Sequence, residues 1–153
     1  MVRKGFTLVE LMIVILIVAI LAAVAIPLMT GRIDAAKWSE GKSAMGTIAT
    51  AVRAYYAEKG CDPAPSAPSL NPADPGFIGV TAQDLDGTYF EQTAAVCYSI
   101  VGGSTGCVPS TGQVFFSIRC DAGPSTRPGA PTKPSAVTLI QTAGNPAAFV
   151  DIP

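Results

Sequence analysis

Hydrophobic positions along the chain change character twice. From Leu11 to Ile26 runs LMIVILIVAILAAVAI, sixteen residues without a polar side chain. Extended back to Phe6, the apolar stretch is interrupted only by Thr7 and Glu10. As a helix it measures roughly 30 Å, about the thickness of a bilayer's hydrocarbon core. Beyond Gly31 the pattern becomes amphipathic. Trp38, Met45 and Val52 recur every seven residues, Ile48 and Tyr55 fill the intervening 3–4 spacing, and Lys37, Glu40, Lys42, Arg53 and Glu58 fall mostly off that stripe. Gly41 and Gly46 weaken the helix but permit close backbone packing. Lys59-Gly60 is a fitting stop. A helix over 6–59 would be about 80 Å long, more than a bilayer requires. Its second half is expected to pack beneath a sheet.

After residue 60 the period shortens. Residues 61–76 (CDPAPSAPSLNPADPG) hold too much proline for a helix or a central strand and read as a surface connector. Strands are predicted at 88–91, 96–101, 113–119 and 136–140, with Phe149-Val150 pairing at an edge. A glycine-rich loop (102–112) and a proline-rich stretch (124–134) separate them. The fold class is therefore α+β: a long N-terminal helix packed against a small antiparallel sheet of three or four strands. The divisions are 1–5, a short basic segment; 6–30, the apolar helix; 31–60, its amphipathic continuation; and 61–153, the β head.

Composition narrows the chemistry. Apolar residues make up 49% and charged residues 14% of 153, against about 25% charged in a soluble domain. A net charge of −1 provides no basic face for nucleic acid. Histidine is absent, which removes the commonest general base and the usual zinc ligand. No nucleophile–base pair stands out, so the reading is not an enzyme, and no cofactor is called for. Asp84 and Asp86 in QDLDG are weak calcium candidates without the spacing of a known calcium loop.

Four cysteines, Cys61, Cys97, Cys107 and Cys120, show no C-x-x-C pair and point to an oxidising compartment. A small head needs such staples. Two bridges are expected; Cys97 and Cys120 lie on candidate neighbouring strands and Cys61 and Cys107 in loops, while Cys97–Cys107 or Cys107–Cys120 would be more local, and all three pairings stay open.

Arg3 and Lys4 precede the apolar stretch and place the N-terminus on the cytoplasmic side. A cleavable secretory signal has a shorter apolar region, roughly 7–15 residues, and no acid inside it. Glu10 is that acid. Pro27 lies within the helical pattern and removes one backbone hydrogen bond, so a kink or loosened helix is expected over about 23–31, with Gly31 at its end.

Gly5-Phe6-Thr7-Leu8-Val9-Glu10, with the apolar run that follows and Pro27, resembles the N-terminal region of type IV pilins and type II secretion pseudopilins. The resemblance covers about the first thirty residues. It implies that a membrane-embedded prepilin peptidase removes residues 1–5, cutting between Gly5 and Phe6, and that the new Phe6 amine is N-methylated. It further implies a single-pass inner-membrane precursor, assembled by a platform protein and an ATPase into a helical filament of identical subunits at the cell surface. A periplasmic pseudopilus of a type II secretion system, or a minor adhesive subunit binding through loops 102–112 and 123–135, are the alternatives. Cleavage would create an amine at Phe6, four residues from Glu10, which could pair with it in the same copy or in a neighbour staggered along the filament. Stranding one member of such a buried pair costs about 3–5 kcal/mol, so Glu10 suits a registration role.

Overall fold

The computed structural model describes residues 5–61, 65–92, 97–101, 103–123 and 128–153. The basic residues Arg3 and Lys4, the first position of the strand expected at 96–101, and residues 124–127 of the second proline-rich stretch lie outside them. Two compact units emerge, residues 1–33 and Asp34–Pro153.

A single helix, α1, occupies Leu8–Lys59 and includes Pro27. It starts two residues later than the apolar stretch, because Thr7 terminates it. At Pro27 the helix continues, and the Thr30 hydroxyl donates to the Pro27 carbonyl at 3.0 Å. The stop is as expected: Gly60 takes a positive φ of 74°, and its N–H donates to the Tyr56 carbonyl at 2.9 Å. In the first unit every large apolar side chain from Leu8 to Met29 is at least 50% exposed.

In the second unit the amphipathic stripe is buried as the spacing requires. Trp38, Met45, Ile48, Val52 and Tyr55 form one cluster with Phe90, Tyr98, Phe116, Ile118, Val137 and Leu139. Gly41 admits the closest approach: a Cβ there would sit 3.3 Å from the Phe90 ring and 3.4 Å from the Cys120 sulfur. Trp38 packs on Phe90 with ring centroids 5.0 Å apart.

The sheet is antiparallel and has five strands: β1 (Tyr98–Ile100), β2 (Gly106–Val108), β3 (Gln113–Asp121), β4 (Ala136–Gln141) and β5 (Ala148–Ile152). Its order is β1-β3-β4-β5, with β2 also pairing β3. Tyr98 faces Cys120, Ile118 faces Leu139, and Leu139 faces Phe149. The expected strands at 113–119 and 136–140 and the edge pairing of Phe149-Val150 are all present.

Two expectations about the sheet need correction. Residues 88–91 are not a strand, because the Glu40 carboxylate takes the hydrogen bonds a neighbouring strand would supply. Its Oε1 accepts from the N–H groups of Tyr89 at 2.8 Å and Phe90 at 3.0 Å. The glycine-rich loop, conversely, contains β2. Gly106 has no side chain, and the Phe115 ring of the facing strand lies directly over it, so a Cβ would overlap that ring.

A third correction concerns the cysteines. The structure holds one bridge, Cys61–Cys107, which ties the end of α1 to β2 across a separation of 46 residues. Cys97 and Cys120 are buried outside any disulfide. The register explains this: Cys120 stands opposite Tyr98, and the Cys97 sulfur points to the Asp121 carbonyl at 3.8 Å. Burial pushes the Cys120 thiol well above the ordinary thiol range, with the neighbouring Cys97 and Asp121 adding to the shift.

Replacing Cys61 and Cys107 together by serine should destabilise the head by about 2–4 kcal/mol, read by urea titration of the full-length chain in detergent micelles. The Glu40 contact yields a sharper expectation. Glu40→Ala should cost about 1.5–3 kcal/mol, the usual worth of hydrogen bonds to a charged group. Gly87→Ala should cost less in the Glu40→Ala background than in the wild type, since the added Cβ overlaps the Glu40 carboxylate. Equal costs in both backgrounds would show that the two positions do not interact.

Candidate functional site

The candidate site sits where the apolar helix begins. Gly5, Phe6 and Thr7 precede α1 and are exposed. Thr7 is the N-cap: its carbonyl accepts from the Leu11 N–H at 3.3 Å, and its Oγ1 accepts from the Glu10 backbone N–H at 3.2 Å. Glu10 returns the contact. Its Oε2 accepts from the Thr7 N–H at 3.0 Å and from the Thr7 hydroxyl at 2.8 Å. Together they form a capping box, in which the N-cap hydroxyl and the acid three residues on satisfy each other's backbone amides.

The carboxylate of Glu10 is therefore not bare. Two donors sit at the end of α1, the N–H and hydroxyl of Thr7, beside the partial positive charge of the helix N-terminus. The sequence reading named Glu10 but passed over Thr7. The signal was legible, since T-L-V-E ahead of an apolar run is the T-x-x-E pattern of a capping box.

The remaining candidates are spread along the chain. Pro27 and Gly31 lie within α1; Gly31 is exposed, and a Cβ there would meet nothing within 4 Å. The four cysteines belong to the head, where Cys61 and Cys107 form the bridge. Asp84 lies within the short 3₁₀ turn Gln83–Leu85 and accepts from the Thr81 N–H at 2.8 Å and the Thr81 hydroxyl at 2.7 Å. The Thr81 hydroxyl and then its amide hold the Asp84 carboxyl below its ordinary range. Both contacts fall on its Oδ2, and among the described residues no group of three or more acidic or cysteine side chains is placed to hold a metal. Asp86 follows the turn as its C-terminal cap.

What the N-terminal arrangement offers chemically is narrow and specific. A peptide bond, Gly5–Phe6, lies in an exposed non-helical segment. Immediately beyond it comes one helix long and apolar enough to cross a membrane. A single acid marks the start of that helix.

Residues 1–26 match the family model described as the prokaryotic N-terminal methylation motif. Among curated relatives, the chain is 36% identical over 111 residues to the fimbrial protein EcpC of Eikenella corrodens, covering 72% of this chain and 66% of that one. It is 45% identical over 57 residues to the type IV major pilin protein PilA of Myxococcus xanthus, covering 37% of this chain and 26% of that one. Over 99 residues it is 39% identical to the type IV major pilin protein PilE1 of Neisseria gonorrhoeae, covering 65% and 42%. The matched parts thus span less than two thirds of these relatives' own lengths. No solved structure matches. An N-terminal methylation motif on an exposed apolar helix, a disulfide-bonded antiparallel head behind it, and relatives that are fimbrial and pilin proteins lead to one conclusion: the chain belongs to the type IV pilin family.

Proposed function

We propose that this chain is the structural subunit of a type IV pilus-like filament. Its leader, residues 1–5, is removed between Gly5 and Phe6 by a prepilin peptidase, and the Phe6 amine is then methylated by a separate methyl donor. The observation that carries the reading is the N-terminal methylation motif over residues 1–26, coinciding with an apolar helix whose large side chains are exposed among the described residues.

Such a helix has two environments open to it, and the proposed function uses both. Before assembly it anchors the subunit in the inner membrane. In the filament the same residues pack against copies of themselves, with the heads outside. Glu10 then sets register, because it is the one acid in the apolar stretch and the mature Phe6 amine is its natural counter-charge. We place the loosening of the helix at Pro27, where one backbone bond is missing. The chain carries no nucleotide-binding motif, so an assembly ATPase and a membrane platform protein supply work from outside. The relatives named as major pilins favour a surface filament over a secretion pseudopilus.

Mass analysis of the mature chain tests the processing directly, and the expected species begins at Phe6 and carries one additional methyl group. A chain beginning downstream of Pro27, with the apolar stretch discarded, would overturn the reading. Glu10→Ala should be processed at Gly5 yet yield few or no sheared surface filaments, as judged by electron microscopy and the sheared-fraction band. Wild-type filament yield from that variant would remove the registration role.

A further inference from the structure

The Gly5–Phe6 peptide lies outside the helix, and one side chain decides that it does. Nothing in Phe6 or Leu8 resists helix formation, and the apolar run beyond favours it. Thr7 alone marks the boundary, through its Oγ1 on the Glu10 backbone N–H at 3.2 Å. An N-cap residue has non-helical dihedrals, so the chain ahead of it leaves the helix.

We propose that Thr7 is a positioning residue for leader removal: by fixing the start of α1 at Leu8, its side chain keeps the Gly5–Phe6 peptide extended and open to the peptidase. The inference rests on the cleavage reading above. In that reaction water adds to the Gly5 carbonyl, the C–N bond to Phe6 breaks, and a proton passes to the leaving nitrogen. Gly5 ends as a carboxylate and Phe6 as an amine. A helix extended upstream would engage the Gly5 carbonyl with the Val9 N–H and wrap the scissile bond into its first turn. Attack would then require unwinding that turn first.

The two halves of the capping box have separate duties. The cap on Thr7 uses the backbone N–H of residue 10, which any non-proline residue at that position retains. The Glu10 carboxylate supplies only the reciprocal contacts, at 3.0 and 2.8 Å. Loss of the Glu10 side chain therefore leaves the helix start in place, whereas loss of the Thr7 side chain does not.

The test follows leader removal from the full-length, membrane-inserted chain by a prepilin peptidase, taking kcat/KM from time courses. Thr7→Ala, which removes the cap and favours helix, should slow cleavage about fivefold. Thr7→Ser and Thr7→Asn should restore it to within about twofold, since both are good N-caps, and Glu10→Ala should be cut at close to the wild-type rate. Equal bridging of Cys61 and Cys107 on non-reducing gels verifies that each variant is folded. Wild-type cleavage of Thr7→Ala would overturn the inference. So would rescue by serine without rescue by asparagine, because the peptidase would then be reading the hydroxyl itself. A wild-type mature chain that does not begin at Phe6 would instead sink the cleavage reading, and is recognised before any variant is made.

Discussion

An apolar helix whose large side chains stand exposed is the constraint from which the rest follows. Apart from the bond lost at Pro27, the helical backbone of Leu8–Ile33 satisfies its own hydrogen bonds, but its leucines, isoleucines and valines stand exposed. Only lipid tails or other apolar helices can cover them. Those two environments are nearly equivalent for a leucine, since lipid is as apolar as a neighbouring side chain. In the proposed function the same segment would thus pass from anchor to filament core without a large free-energy step between them. The equivalence has a consequence: apolar residues alone confer little preference for one packing register over another. Polar groups carry that information, and between Phe6 and Ile26 the polar side chains are Thr7 and Glu10.

The head solves a different problem with the continuation of the same helix. About 120 residues must bury a core although two segments are rich in proline. The stripe from Trp38 to Tyr55 contributes one side of that core and the inner face of β1, β3 and β4 the other. Two long-range ties add to the burial. Glu40 reaches the amides of Tyr89 and Phe90, some fifty residues away in sequence, and so fixes a strandless segment against the helix. The Cys61–Cys107 bridge fastens the end of α1 to the short β2. Each tie replaces sheet hydrogen bonds that the proline- and glycine-rich connectors cannot provide.

How far the sequence revealed this depended on whether an element signals through its own residues. The apolar run, the heptad-like stripe and the strands around 113–121 and 136–141 carry their periodicity in themselves, so they could be read. The segment 88–91 carries the aromatic and β-branched signal of a strand, but a distant carboxylate supplies its partners. In β2 the reverse holds: Gly106 gives no strand signal because its place in the ladder lies beneath the Phe115 ring. The cysteines could not be paired because pairing depends on register, and Tyr98 rather than Cys97 faces Cys120. Thr7 signals its role locally as well, since T-L-V-E ahead of an apolar run is a capping pattern, though the neighbouring acid is the more conspicuous group.

The contact with Thr7 changes the energetics of the acid. An uncompensated carboxylate near the start of a membrane helix is expensive, and less so near the interface. Here the full-length chain does not hold it uncompensated, because Thr7 donates twice to the same oxygen. The proposed leader removal would introduce an ammonium group one residue ahead of the cap. A charged donor makes a stronger hydrogen bond than a neutral hydroxyl. In the proposed filament, an amine from a neighbouring copy competes for Glu10 against a partner already in place, rather than rescuing a stranded charge. The exchange keeps the carboxylate satisfied at both ends of the process. Under the proposed function the subunit would wait in the membrane in a stable form, and the new amine, not the relief of a buried charge, would distinguish the subunit ready for assembly from its precursor.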